Sequence, residues 1–449
     1  LDNNPVAMSD PDIVGYSQTN NKALQTTASV KYDVPFVQGL QIKATGAYDS
    51  NMYMGKNAHR SYDVFTYASE TDTYLKQTIG APAYINNSYD DHNKLVLQAQ
   101  VSYQRLFNKR HNVGVTLVYE QSKYWYRNSS LHRDYDFYTN DQVDQGSVNN
   151  MKNGGYETEE ASMSYIGRFT YDYMSRYLVE FAFREDGSYR YAPGARWGFF
   201  PVVSVGYRIS EEKFIKDNLT FIDNLKLRAS YGIVGRADFG VNLYKYYMGS
   251  GNSYYFKDTP ASQSGMTEKQ IAVDGLTYEK SHKLNVGMDF MVWKKLSLTI
   301  DGYYDHRTDI LVDGGNAISS VFGMTVPKRN DGVVNNYGVE LMAGWNDRIG
   351  EFSYQINGQF SFNRSKIINM NEEYRPYDYL ERTGCRVGQI FGYEVEGIYK
   401  NQEEINQREV KQYLSEVRPG DLKLKDQNGD KRIDQYDQVA MGYNATCPE

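Results

Sequence analysis

The sequence contains no apolar run approaching the roughly 18 residues a membrane-crossing helix requires, so helical spans are excluded. Basic charge is not in excess. The 49 Lys and Arg face 56 Asp and Glu, leaving a formal charge of −7 and no footprint for gripping nucleic-acid phosphates. Cysteine is scarce: Cys385 and Cys447 are too few for a disulfide framework and match no zinc spacing, although the two can pair in an oxidising compartment. Proline occurs only 11 times, which argues against a disordered chain. The opening LDNNPVAMSDPD lacks the basic and apolar regions of a secretion signal, which leaves a cytosolic protein or a chain that is not the whole precursor. Enzyme signatures are absent as well. The six histidines form no HExxH pair, no GxSxG elbow occurs, and GSGNSY from Gly249 lacks the third glycine of a dinucleotide loop. Carboxylate pairs such as Asp90 and Asp91, or Glu159 and Glu160, read as solvated loop charges.

What the chain has in abundance is tyrosine, 42 residues, together with segments of strict two-residue alternation. In FSYQINGQFSFN one face carries Phe352, Tyr354, Ile356, Gly358, Phe360 and Phe362, while the other carries Ser353, Gln355, Asn357, Gln359, Ser361 and Asn363. LSLTIDGYY from Leu296, LKLRASY from Leu225, LQIKATGAY from Leu40, LVLQAQVSY from Leu95 and VGVTLVY from Val113 read the same way. With further cases this predicts about a dozen two-faced strands. Several apolar faces finish on tyrosine, at Tyr48, Tyr103, Tyr119, Tyr231 and Tyr304. An amphipathic ring in that position suits a membrane interface, with its body in hydrocarbon and its hydroxyl in water.

Short turns (NKRH, MSR, WKK, NDRIGE) alternate with long polar segments at 51–93, 124–159, 234–281, 307–335 and from 364 onward. Tight turns at one end and long loops at the other are the plan of an outer-membrane barrel. Averaged hydropathy does not argue against one, because lipid-facing and lumen-facing residues cancel. A propeller would repeat blade signatures such as Trp-Asp, yet none of the four tryptophans precedes Asp. The expected fold is therefore all-β, part of a transmembrane antiparallel up-and-down barrel spanning 1–449, with an outer loop region in 364–449. Closure in lipid demands more wall than a dozen strands supply around a polar lumen, so the chain is expected to lack part of its barrel.

The segment VEFAFREDGSYRYAPGARWGFFPVVSVGYRISEEKFIKDNLTFIDNLKLRASYGIVG, Val179 to Gly235, resembles the barrel signature of the SusC/RagA-like TonB-dependent outer-membrane transporters. SHKLNVGMDF, NDGVVNNYGVEL, VGQIFGYEVEGIYKNQEEI and RPGDLKLKDQNGDKRIDQYD extend the resemblance from about Ala23 to the end. It implies a barrel of about 22 strands with an N-terminal plug, a TonB box contacting the TonB complex, and a SusD-like lipoprotein lid. By that resemblance the sequence is expected to be a central barrel portion, with plug, TonB box and final strands lying outside it.

Two groups of residues are candidates for sites. In DQNGDKRIDQYD, oxygen donors fall at the spacing of an EF-hand loop: Asp426, Asn428, Asp430, Arg432 through its carbonyl, Asp434 and Asp437. Lys431 stands where glycine makes the sharp turn and Asp437 where a bidentate glutamate is usual, so the alternative is an Asx-rich loop held by its own backbone. Calcium is the cofactor expected if the site fills. Tyr124, Trp125 and Tyr126 in SKYWYRNSSLHRDYDFY, and Tyr246 and Tyr247 in NLYKYYMGSGNSYYF, are candidates to stack on a glycan or grip a peptide. The function expected is energy-coupled import of oligosaccharides or oligopeptides across the outer membrane of a Gram-negative bacterium. The alternative is a passive porin or surface adhesin, and no nucleic-acid partner is expected.

Overall fold

A computed structural model describes residues 4–138, 140–237, 240, 242–256, 261–273, 275–314, 327–412 and 416–444. Contacts divide the chain into two compact units, 1–103 with 116–166, and 104–115 with 167–449. Twelve strands make up one antiparallel sheet ordered as in the chain. They are β1 (Gly15–Asp33), β2 (Leu40–His59), β3 (Tyr84–Phe107), β4 (His111–Asp134), β5 (Met151–Tyr173), β6 (Tyr177–Ser188), β7 (Trp197–Arg208), β8 (Ile222–Arg236), β9 (Glu279–Val292), β10 (Leu296–Val312), β11 (Arg329–Ile349) and β12 (Phe352–Asn369). Hairpins Tyr62–Ala68/Thr73–Ile79 and Tyr247–Phe256/Ala261–Gln270 rise from two of the long connections.

Directly opposed residues of an antiparallel ladder project from the same face, so register assigns the faces. In the second unit three successive rows cross β8 to β12: Leu227, Met288, Ile300, Leu341, Phe360; then Ala229, Val286, Gly302, Val339, Phe362; then Tyr231, Leu284, Tyr304, Tyr337, Arg364. The opposite face carries rows such as Arg228, Gly287, Asp301, Glu340, Ser361. In the first unit, Ile42 opposes Val101 and Gly46 opposes Leu97 on one face, while Lys43 opposes Gln100 and Asp49 opposes Lys94 on the other. The apolar faces are open. Leu97 is 49% exposed, Val286 55% and Phe360 61%, where a soluble sheet would bury such residues under a second layer.

Buried clusters lie instead where the connections pack on the strand ends that carry them. Ala83, Ile85 and Tyr135 form one in the first unit. Tyr191, Phe200, Val273, Leu276 and Tyr278 form another in the second, where the Tyr278 hydroxyl donates to the carbonyls of Asp186 and Arg196, both at 3.0 Å. At the opposite end, Asn108-Lys109, Met174-Ser175 and Trp293-Lys294 occupy tight turns with both residues at positive φ. Each turn is closed by an N–H donating to the carbonyl three residues back, at 3.0 Å. This backbone hand matches the twist of the flanking strands, which explains its use even without glycine.

One expectation changes. The segments 51–93 and 124–159, read as polar loops, hold long strand extensions: β2 continues to His59, β3 begins at Tyr84, β4 runs to Asp134 and β5 starts at Met151. Backbone pairing persists beyond the apolar band, where both faces become polar and the alternation of hydrophobicity vanishes. β1 was likewise not legible, since its polar run SQTNNK hides the even-numbered stripe of Leu24, Thr26, Ala28, Val30 and Tyr32.

Candidate functional site

The strand extensions of the first unit assemble an aromatic cluster on the polar face. Tyr53 opposes Asp90, and Asn51 opposes His92. The His92 ring meets Tyr53 edge-on at 5.6 Å and Tyr126 at 4.5 Å, and its Nδ1 lies 2.7 Å from the Tyr124 hydroxyl. Tyr126 packs on Tyr156 at 5.3 Å and donates its hydroxyl to Asp90 Oδ1 at 2.5 Å, an oxygen that also accepts from Asn128 Nδ2 at 2.7 Å. These bonds fix the rings, while Tyr53 and Tyr156 remain 37% and 58% exposed. The cluster therefore offers rigid ring faces beside a carboxylate and an amide, groups suited to stacking and hydrogen bonding of a polar ligand.

Of the sequence candidates, Tyr124 and Tyr126 meet here. Trp125 does not: strand alternation turns it to the other face, 6.2 Å from Tyr48 and with the Lys123 ammonium 5.9 Å from its ring. Tyr246 and Tyr247 belong to the second unit, at the start of the Tyr247–Phe256 strand, and both are more than half exposed. Tyr53, Asp90, His92 and Tyr156 were not singled out by sequence because they fall in segments read as loops, where no alternation marks a face. Asp90 is a partnered strand residue rather than a solvated loop charge.

The 426–437 loop is held by its own side chains. Asp426 accepts from the amides of Gly429 at 2.7 Å and Lys431 at 2.8 Å; Asn428 accepts from Asp430 at 3.0 Å, Asp430 from Arg432 at 2.8 Å, and Asp434 from Tyr436 at 2.9 Å. Asp437, fully buried, accepts from Gln427 at 2.9 Å and Asp434 at 2.8 Å. Lys431 takes the left-handed conformation, φ 66°, that its position demands. Among the described residues no group of three or more His, Cys, Asp or Glu side chains converges as a metal site. The carboxylates nevertheless keep further lone pairs beyond the amide bonds.

Cys385 is half-buried, with its thiol 3.4 Å from the Glu381 carbonyl, and burial pushes its pKa up. Cys447 lies outside the described residues, and so does any pairing with it.

Residues 2–399 match the family model described as TonB dependent receptor-like, beta-barrel. The chain belongs to this family. Its members are transport receptors rather than enzymes, and they are β-barrels. TonB-dependent receptor P39 of Formosa agariphila is 27% identical over 96% of this chain and 43% of its own length. TonB-dependent receptor SusC of Bacteroides thetaiotaomicron is 28% identical over 68% of this chain and 30% of its own. The chain thus spans less than half the length of these relatives. The RagAB peptide importer in its closed-closed state superposes with a TM-score of 0.74 at 18% identity, covering 96% of this chain and 46% of that one, a likeness of fold.

Proposed function

We propose that this chain is wall of an outer-membrane transporter of a Gram-negative bacterium that imports oligosaccharides or oligopeptides with energy delivered through TonB. One observation carries the reading within this family: five adjoining strands keep two unbroken apolar rows on one face, open to the surroundings, and rows of polar and charged residues on the other. That arrangement is stable where the apolar rows meet acyl chains and the polar rows face water. The cluster around His92 then stands on the water side, a wall contact for the passing ligand. Kinship to SusC and likeness to RagAB support a SusD-like lipoprotein lid as partner.

The test is uptake of labelled oligosaccharides and peptides by cells carrying the full-length protein, with and without TonB. Uptake that stops without TonB is expected; uptake that persists identifies a passive pore, and surface attachment without uptake identifies an adhesin. Replacing Tyr124, Tyr126 and His92 by Ala is expected to weaken ligand binding at least tenfold, on a scale of about 1 kcal/mol for each aromatic contact. Unchanged affinity removes the cluster from the ligand path.

Calcium at Asp426, Asn428, Asp430, Arg432, Asp434 and Asp437 is a separate part of the proposal, as a brace on an outer loop rather than a transport element. Calorimetric titration of the folded protein with calcium decides it: heat that Asp426→Ala abolishes supports the brace, and its absence leaves an Asx-built loop.

A further inference from the structure

One oxygen in the His92 cluster is left over. Asp90 receives both of its protein donors, the Tyr126 hydroxyl and Asn128 Nδ2, on Oδ1. Among the described residues no hydrogen bond or ion pair uses Oδ2, and that oxygen keeps its full acceptor capacity although the residue is partly withdrawn from water. Rings stand around it. Tyr53 directly opposes Asp90 across the β2–β3 ladder, and His92, two residues along β3 on the same face, packs on both Tyr53 and Tyr126. Tyr156 extends this wall from β5.

The charges nearby add to the negative potential. Lys123 and Arg127 of β4 share the opposite face with Trp125, where they pair with Glu159 at 3.1 Å and Glu157 at 2.7 Å. On the cluster's own face Glu120 accepts from Gln98 at 2.5 Å, and the Glu160 carboxylate lies within electrostatic reach of Tyr124. Lys94 is four residues from Asp90, about 13 Å of strand, and directly opposes Asp49.

We propose that Tyr53, Asp90, Tyr126 and Tyr156 receive the cationic side chain of a basic oligopeptide, a lysine ammonium or an arginine guanidinium. The inference rests on the reading of the cluster as a ligand contact and names what it contacts. A cation is drawn to the negative faces of the tyrosine rings, each worth about two- to fivefold in affinity at an exposed site, and to the free carboxylate oxygen at the same time. A basic side chain carries its charge on an apolar stem, which the remaining ring surface covers. A hexose brings several hydroxyls that each need a polar partner, while the Tyr124 hydroxyl is engaged with His92 and the Tyr126 hydroxyl with Asp90.

The full-length protein in nanodiscs is titrated calorimetrically at pH 8, above the ordinary imidazole range, with an end-blocked Gly-Lys-Gly-Lys-Gly peptide and with the same peptide carrying acetyl-lysine. The charged peptide is expected to bind at least tenfold tighter. Asp90→Asn removes the charge and keeps an acceptor for Tyr126 and Asn128, so it should erase that preference without weakening the acetylated peptide. Tyr53→Ala with Tyr156→Ala should cost the charged peptide about tenfold, whereas Tyr53→Phe with Tyr156→Phe, which keep the ring faces, should retain most of its affinity. Tyr53 and Tyr156 are exposed, so their variants give a reading if Asp90→Asn does not fold. Equal affinity for the two peptides, or a preference that survives Asp90→Asn in folded protein, overturns the inference. A glucosamine tetramer that binds in an Asp90-dependent way where the lysine peptide does not overturns the choice of a peptide. In either case TonB-dependent uptake by cells leaves the import reading intact, whereas uptake that persists without TonB overturns that reading and not the preference for charge.

Discussion

Single residues of the C-terminal part carry strain and charge that can be measured. Lys431 holds φ 66° to let Asp426 receive two amides. The left-handed conformation costs a side-chain-bearing residue about 1–2 kcal/mol, so Lys431→Gly should stabilise the 426–437 loop by about 1 kcal/mol, read as increased amide protection. Glu372 presents the converse case. Burial opposes its charge, yet the amides of Arg382 and Thr383, the Thr383 hydroxyl and Arg375 surround the carboxylate and hold it below the usual glutamate range. A lowered folded pKa means the contribution is complete above the ordinary carboxylate value and is lost as pH falls through the lowered one. Protease resistance of the 370–383 segment should therefore fall on acidification. In Glu372→Gln that acid-dependent loss should be absent, with about 1–3 kcal/mol already missing at neutral pH.

Elements show where alternation is informative and where it stops. Inside the apolar band each strand buries or presents one stripe, and sequence period alone locates β2, β3, β4, β8, β10 and β12. Beyond the band, polar residues occupy both faces, so the ends of β2 to β5 and the whole His92 cluster carry no periodic mark. Glycines in these elements mark contacts rather than turns. A Cβ at Gly235 would stand 2.0 Å from the Phe200 ring, which is nine-tenths buried against Tyr278. Gly235→Ala should displace Phe200 and cost about 1–3 kcal/mol, as overpacked cores do, measured by urea unfolding and by loss of ordered aromatic signals. The alternative pattern, no change in stability, would mean that β8 shifts freely in this region.

At the scale of the whole molecule, the two faces make unequal demands on the same substitution. Leu341 and Met342 are adjacent, both apolar, and project to opposite faces: Leu341 lies in the row with Ile300 and Phe360, Met342 opposite Thr299 and Gln359. Leu341→Arg should cost about 2–4 kcal/mol in lipid vesicles, the scale for arginine at mid-bilayer, while Met342→Arg should be nearly neutral. Equal effects would deny the assignment of faces. The sequence by itself determined the all-β class, the two-faced strands, the disposition of short turns and long connections, and the spacing of the Asp426 loop, because each depends on neighbours within about a dozen residues. Only the tertiary structure decided that Trp125 parts from Tyr124 and Tyr126, and that His92 joins Tyr124 and Tyr126. Those outcomes follow from cross-strand register and loop closure, which bring together residues whose separation in the chain leaves no periodic trace.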